Sequence, residues 1–274
     1  MKPTRNSPNP PPALAFGAHP DDIEFGFGGV AAAETRAKRQ VHFVVCSSGE
    51  SGTNGTPKQR AAEAKKSAGL LGATIEFIKL AADAHLEVHV SHTVRLAEIL
   101  RRIRPEVVVA PSPVETQHPD HACLGKLVRD AARLARFGGL PELRGQPPHA
   151  IKQLFFYAIT PEAEPVNITP LLIDVSAPEI VAAWTTAMKA HASQMLTRNY
   201  VDFQLTRARL FGARAGVEYA IALFPNEPLI FDSLANVGRG ARQFRYEFTR
   251  RPVAHRYHLL PFRWRERGSC LSAR

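Results

Sequence analysis

The stretch Ala18-His19-Pro20-Asp21-Asp22-Ile23-Glu24 decides how this chain reads. In front of it, Ala13-Leu14-Ala15-Phe16 is a short apolar run of the kind a buried strand carries. Behind it, Gly26-Phe27-Gly28-Gly29 leads into a helix-forming stretch from Val30 to Lys38. A histidine and three acids crowded into one turn at a strand end repel each other or must be desolvated. A divalent cation removes that cost, because histidine and aspartate both ligate zinc at about 2.0–2.2 Å. Pro20 stiffens the turn between them.

Outward from this turn, apolar strand-like runs alternate with helical ones. Val41 to Cys46 reads as a second strand, followed by a glycine-rich loop, Ser47 to Gly55. Thr56 caps the next helix, with Pro57 at its first position and Gly72 at its end. Thr74 to Leu80 is a third strand, Val90 to Arg104 a helix stopped by Pro105, and Glu106 to Ala110 a fourth strand. Ala122 to Phe137 is helical and Leu154 to Ile159 a fifth strand. Beyond residue 160 the pattern loosens, with a helix over Ile180 to Met195 and short strands at Glu218 to Phe224 and Leu229 to Asp232. The alternation predicts a Rossmann-like three-layer α/β/α fold with a mostly parallel sheet, its strand-end loops opening on one edge.

The chain has 274 residues, 45% hydrophobic and 22% charged, within the range of an ordinary globular protein. No apolar run approaches the ~20 residues of a membrane helix. Residues 1–12 are proline-rich, lack a signal peptide's apolar core and read as a disordered lead-in; the catalytic domain is expected over 13–236. Three dispersed cysteines, Cys46, Cys123 and Cys270, argue against a disulfide framework and for a cytoplasmic setting. Most of the net charge of +10 lies in a C-terminal extension, residues 237–274, which holds ten arginines against two glutamates. Its interleaved aromatics favour packing on the body or a partner subunit over nucleic-acid binding, so a homo-oligomer is expected.

A second element, His118-Pro119-Asp120-His121, follows the fourth strand. His19, Asp22 and His121 then form a two-histidine, one-carboxylate set with positions left open, as hydrolytic metal sites require. Asp21 and His118 are the acid–base candidates, since Asp21 neighbours a ligand and can face a water. Asp120 completes the catalytic set by orienting one of the histidines. A rival signal is Gly26-Phe27-Gly28-Gly29-Val30-Ala31, which fits a dinucleotide fingerprint, with Glu50 near the place of the ribose acid. In that fingerprint the first glycine makes the turn directly after the strand, whereas here His-Pro-Asp-Asp fills the turn.

These motifs, with Gly49-Glu50-Ser51-Gly52-Thr53-Asn54-Gly55-Thr56-Pro57 between them, resemble the PIG-L/LmbE family of zinc-dependent N-acetylglucosaminide deacetylases over about residues 13–234. Glu218-Tyr219-Ala220 and Pro228-Leu229 are most similar to its bacillithiol-pathway branch. The resemblance implies zinc, or another divalent metal, on His19, Asp22 and His121, with Asp21 as general base and His118 as oxyanion stabiliser and acid. It places Arg60 and Asp83 on the sugar, with Glu50 in the glycine-rich motif and His191 and Gln194 in a late motif. The implied reaction removes the N-acetyl group from a small N-acetylglucosamine conjugate, giving acetate and an amino sugar. A nucleotide-binding protein built on Gly26 and Gly28, or a nucleic-acid binder using the basic tail, is the alternative.

Overall fold

β1 (Ala13–Gly17) is buried along its whole length, as a strand must be when helices cover both faces of its sheet. The computed structural model describes residues 10–114, 118–196, 198–238 and 240, all within one compact unit that runs to residue 242. After β1 come two short helices, α1 (Asp22–Gly26) and α2 (Gly28–Arg36), then β2 (Val41–Val45), α3 (Pro57–Leu70) and β3 (Thr74–Phe77). The chain continues through α4 (Val90–Ile103), β4 (Val107–Pro111), α5 (Pro119–Leu134), β5 (Gln153–Tyr157) and β6 (Leu171–Asp174). It closes with α6 (Pro178–Lys189), α7 (Tyr200–Ala215) and β7 (Ala220–Pro225). Among the described residues no helix is long and apolar enough to cross a membrane.

The sheet has the order β3-β2-β1-β4-β5-β7-β6. β1 to β5 run parallel, while β7 is antiparallel to both β5 and β6. The chain builds outward from β1 to β2 and β3, then returns to lay β4 on the other side of β1. That reversal is a topological switch point, where the loops after the two strands part and open a crevice. The loops after β1 and β4 carry His19–Asp22 and His118–His121. The strand pleat sorts the core: Leu14 and Phe16 join one apolar cluster with α4 and α5, and Ala13 and Ala15 join the other with α1, α2, α3 and α6.

Several expectations change. The glycines of the rival fingerprint pack inside the second cluster. A β-carbon on Gly26 would collide with the Tyr157 ring, and one on Gly28 would lie 2.7 Å from Trp184. Trp184 Nε1 donates to the Glu24 carbonyl at 2.8 Å, and the Tyr157 hydroxyl to that of Phe16 at 2.9 Å, so neither ring can yield freely. The helix expected over 180–195 stops at Lys189, because Ser193 is drawn to Glu63 of α3 through its N–H (3.1 Å) and hydroxyl (2.6 Å). No strand forms over 229–232: Pro228 lacks a ladder N–H, and Ile230 and Phe231 are exposed. β6 and α7 were not anticipated. Of the lead-in, Pro11 and Pro12 are tied down, their carbonyls accepting from Arg39 (2.9 Å) and from the Glu106 N–H (3.0 Å); residues 1–9 and the arginines from Arg239 onward lie outside the described residues.

The packing of α1 generates a test. Gly26→Ala should destabilise the protein by about 1–3 kcal/mol through overpacking against Tyr157, measured by urea denaturation. Gly139→Ala, where no atom lies within 4 Å of the added carbon, should be near neutral.

Candidate metal centre

The turn after β1 folds back on itself. The His19 N–H donates to Asp22 Oδ2 at 2.8 Å, and the Asp22 N–H points back to the His19 carbonyl at 3.4 Å. Closing so tight a loop forces Asp21 to φ +134°, a conformation that costs energy for any residue but glycine and that recurs at functional sites. Asp22 then starts α1, and the Phe25 N–H closes the first turn onto the Asp21 carbonyl at 3.0 Å.

Three side chains meet here: His19 in the turn after β1, Asp22 at the start of α1 and His121 in the first turn of α5. His19 Nδ1 lies 3.2 Å from His121 Nε2, His121 Nε2 3.0 Å from Asp22 Oδ1, and His19 Nδ1 3.5 Å from Asp22 Oδ2. Ligands held at 2.0–2.1 Å around a tetrahedral centre stand about 3.3 Å apart, so these spacings fit one small divalent cation. The charge balance fits as well. Asp21, Asp22, Asp83 and Asp120 are all buried, with Arg60 the buried cation beside Asp21. Without a metal the cluster compensates by protonation: burial opposes a charge on His19, but Asp22, Asp120 and Asp83 outweigh it and hold its pKa well above the usual range. Burial works to raise Asp22 too, yet His121 and His19 keep it well below the ordinary carboxylate range. A divalent cation displaces that imidazole proton and takes over its charge.

Behind the donors stands a supporting layer. His19 Nε2 faces Asp83 Oδ1 at 2.9 Å and Asp120 Oδ2 at 3.4 Å. Both carboxylates are pinned by backbone: Asp83 Oδ2 accepts from the Ser51 N–H at 3.0 Å, and Asp120 accepts from the N–H groups of Ala84 (2.8 Å) and Leu86 (3.2 Å). His118 caps α5, its Nδ1 accepting from the Asp120 N–H at 3.2 Å. The neutral ring therefore carries its proton on Nε2. Burial, then His19 and His121, lowers the pKa of His118 and keeps it neutral. Asp21 is pushed up to about 6, first by burial and then by Asp22, with Arg60 at 3.5 Å holding it back.

These groups border a cavity of ≈ 310 Å³ lined by the three donors, Asp21, His118, Arg60 and Asp83, together with Ser51, Gly52, Ala84 and Tyr200. The residues expected on the substrate divide. Arg60 reaches the cavity but spends its guanidinium on the Gly49 carbonyl (2.9 Å) and Asp21. Asp83 borders the cavity from behind His19. Glu50 does not line it: the side chain accepts from the Ser48 N–H at 3.0 Å within its own loop. His191, 1% exposed, sits 3.3 Å from Glu24 outside the cavity lining. Gln194 donates to the Asn54 carbonyl at 2.8 Å and so fastens the glycine-rich loop. Tyr200 and Ala84 are lining residues the sequence did not mark.

The model of the PIG-L family, described as GlcNAc-PI de-N-acetylase, matches residues 14–132, the stretch that carries all three donors. A conserved protein of Thermus thermophilus, whose crystal structure superposes with a TM-score of 0.72, is 30% identical over 80% of this chain and 96% of its own. The chain belongs to the PIG-L family. Within that family it is similar to the diacetylchitobiose deacetylase of Thermococcus kodakarensis, 26% identical over 228 residues, 76% of this chain and 80% of that protein. It is also similar to the 4-oxalmesaconate hydratase of Pseudomonas putida, 28% identical over 151 residues, 50% of this chain and 58% of that one.

Replacing Asp83 by Asn removes the carboxylate behind His19 while keeping its shape. Divalent-metal affinity, read by competition with a chromogenic chelator, should fall about 10–100-fold. Glu50→Gln, on the loop's outer side, should leave it unchanged.

Proposed function

We propose that the protein is a zinc-dependent N-deacetylase acting on a small N-acetylglucosamine conjugate. The observation that carries the reading is the convergence of His19 Nδ1, Asp22 and His121 Nε2 beside a second carboxylate, Asp21, that stands outside this set and borders the cavity. That arrangement suits attack of water on an amide. The relatives named for deacetylation support the choice of bond, and the polar cavity supports a sugar over an apolar acyl chain. Zinc is favoured by the donors themselves, two imidazoles and one carboxylate in a compact set.

In this reading His19, Asp22 and His121 hold the cation, which when bound polarises the amide carbonyl and acidifies a water. Asp21 takes the proton of the attacking water and returns it to the departing amine. Arg60, at 3.5 Å, keeps the Asp21 carboxylate turned to the cavity and limits how far burial raises it. His118 donates its Nε2 proton as a hydrogen bond to the carbonyl oxygen as charge develops there. Because its Nδ1 is engaged by the Asp120 amide, His118 serves better as this donor than as the acid that the family resemblance implies. Asp83 and Asp120 fix the far nitrogen of His19. Arg60 and Asp83 thereby support the chemistry from behind, and the sugar meets them at the cavity wall.

Asp21 and Asp22 are adjacent and chemically identical, so they test the reading. Asp22→Asn should lose zinc and activity together. Asp21→Asn should keep zinc and fold but lower kcat for acetate release from N,N′-diacetylchitobiose by about 10²–10⁴-fold. Metal content and turnover measured on the same preparations decide it. Zinc lost from Asp21→Asn and retained in Asp22→Asn would reverse the two roles, and wild-type protein that holds zinc but releases no acetate from any N-acetylglucosamine conjugate would remove the deacetylase reading.

A further inference from the structure

The lining of the cavity is polar or small with one exception. Apart from the histidines, Tyr200 is the single aromatic side chain there among the described residues. It opens α7, whose N-cap Asn199 accepts from the Asp202 N–H at 3.1 Å, so the backbone under the ring is fixed. The ring is held as well. It stacks on Phe25 with centroids 4.8 Å apart and an interplanar angle of 17°, and Phe25 is itself 3% exposed in α1, the helix that begins with Asp22. The Arg198 guanidinium lies 5.5 Å from the Tyr200 ring and 4.1 Å from that of Phe203. Tyr200 is thus a rigid aromatic surface tied through Phe25 to the turn that carries the metal donors.

We infer that Tyr200 is the wall against which a pyranose ring of the substrate packs, which makes it a specificity-determining residue; this rests on the deacetylase reading above. A pyranose is amphipathic: its axial C–H groups form an apolar face, and its hydroxyls form a polar rim. A cleft that binds one needs an aromatic surface for the face and hydrogen-bonding groups around it, and the cavity supplies both. A small planar polyanion would draw nothing from an aromatic wall that polar groups could not supply better. Preorganisation by the Phe25 stack lowers the ordering cost of that contact. Tyr200 also lies outside the stretch matched by the family model, which ends at residue 132. The reacting groups thus come from the stretch that the family model matches, and this wall comes from the part of the chain beyond it.

The test uses the zinc-loaded full chain as wild type, Tyr200→Phe, Tyr200→Leu and Tyr200→Ala, with N,N′-diacetylchitobiose as substrate and glucosamine binding followed by calorimetry. Tyr200→Phe should behave as wild type, since the ring and not the hydroxyl makes the contact. Tyr200→Leu and Tyr200→Ala should raise KM and the glucosamine Kd by roughly tenfold, with kcat within about twofold and zinc content unchanged. KM and Kd unchanged in both, or a loss confined to kcat, would overturn the inference. If removing the ring prevents Tyr200→Ala from folding, Tyr200→Leu carries the test, because it keeps apolar cover over Phe25. Wild type that binds glucosamine but hydrolyses no conjugate would defeat the deacetylase reading while the Kd comparison still judges Tyr200; wild type that binds no sugar would defeat the inference itself.

Discussion

Everything around the cleft depends on holding His19 Nδ1, Asp22 and His121 Nε2 within 3.0–3.5 Å of one another. The donors come from two segments a hundred residues apart in sequence, and what joins them is the pairing of β1 with β4, Ala13 opposite Val107 and Ala15 opposite Val109. Because that pairing sits at the switch point of the sheet, the two loops end side by side with a crevice between them. The arrangement is costly without a cation, as buried carboxylates must be neutralised by protons on imidazole or by Arg60. The strained backbone at Asp21 adds to the cost. On the proposed reading a cation would relieve that cost, and the surrounding shell keeps the three side chains from relaxing apart.

That shell gives a structural task to Arg60 and Gln194, which the family resemblance places on the substrate. Arg60 is a wedge: it grips the Gly49 carbonyl, and at Gly49, with φ +69°, any β-carbon would collide with the guanidinium. Gln194 and Ser193 clamp the same loop from the far side, onto Asn54 and Glu63. Glu63 is an exposed-looking acid on α3 whose service is to hold that clamp. The glycine-rich loop is thus a surface cast between α3 and the segment after α6, and Ser51 and Gly52 are the part of it that reaches the cavity.

The parallel core of the sheet and the acid-rich turn after β1 are legible because they rest on local chemistry: continuous apolar strands, Thr56 as a cap, and a histidine and acids crowded at a strand end. What escaped was decided by tertiary contact. β6 is a half-buried edge strand with a burial pattern no different from a loop. α7 mixes charge and apolar residues around most of its surface, since it supplies Phe211 to one core cluster and Val201 and Ala208 to the other. Tyr200 could not be placed on the cleft before α7 was known to exist. Glu50 and His191 were assigned to substrate by motif alone, and only the fold shows the first engaged in its own loop and the second buried against Glu24. A hydratase among the relatives shows that the scaffold does not by itself dictate the reaction.

The central claim is that these three side chains close on one cation. X-ray absorption at the zinc edge tests it directly, on the full chain loaded with one equivalent of zinc. The account requires a coordination shell of nitrogen and oxygen alone at about 2.0–2.1 Å, with the multiple-scattering signature of two imidazoles that falls to one in His121→Ala. A sulfur shell at about 2.3 Å, or a spectrum that His121→Ala leaves unchanged, would contradict it.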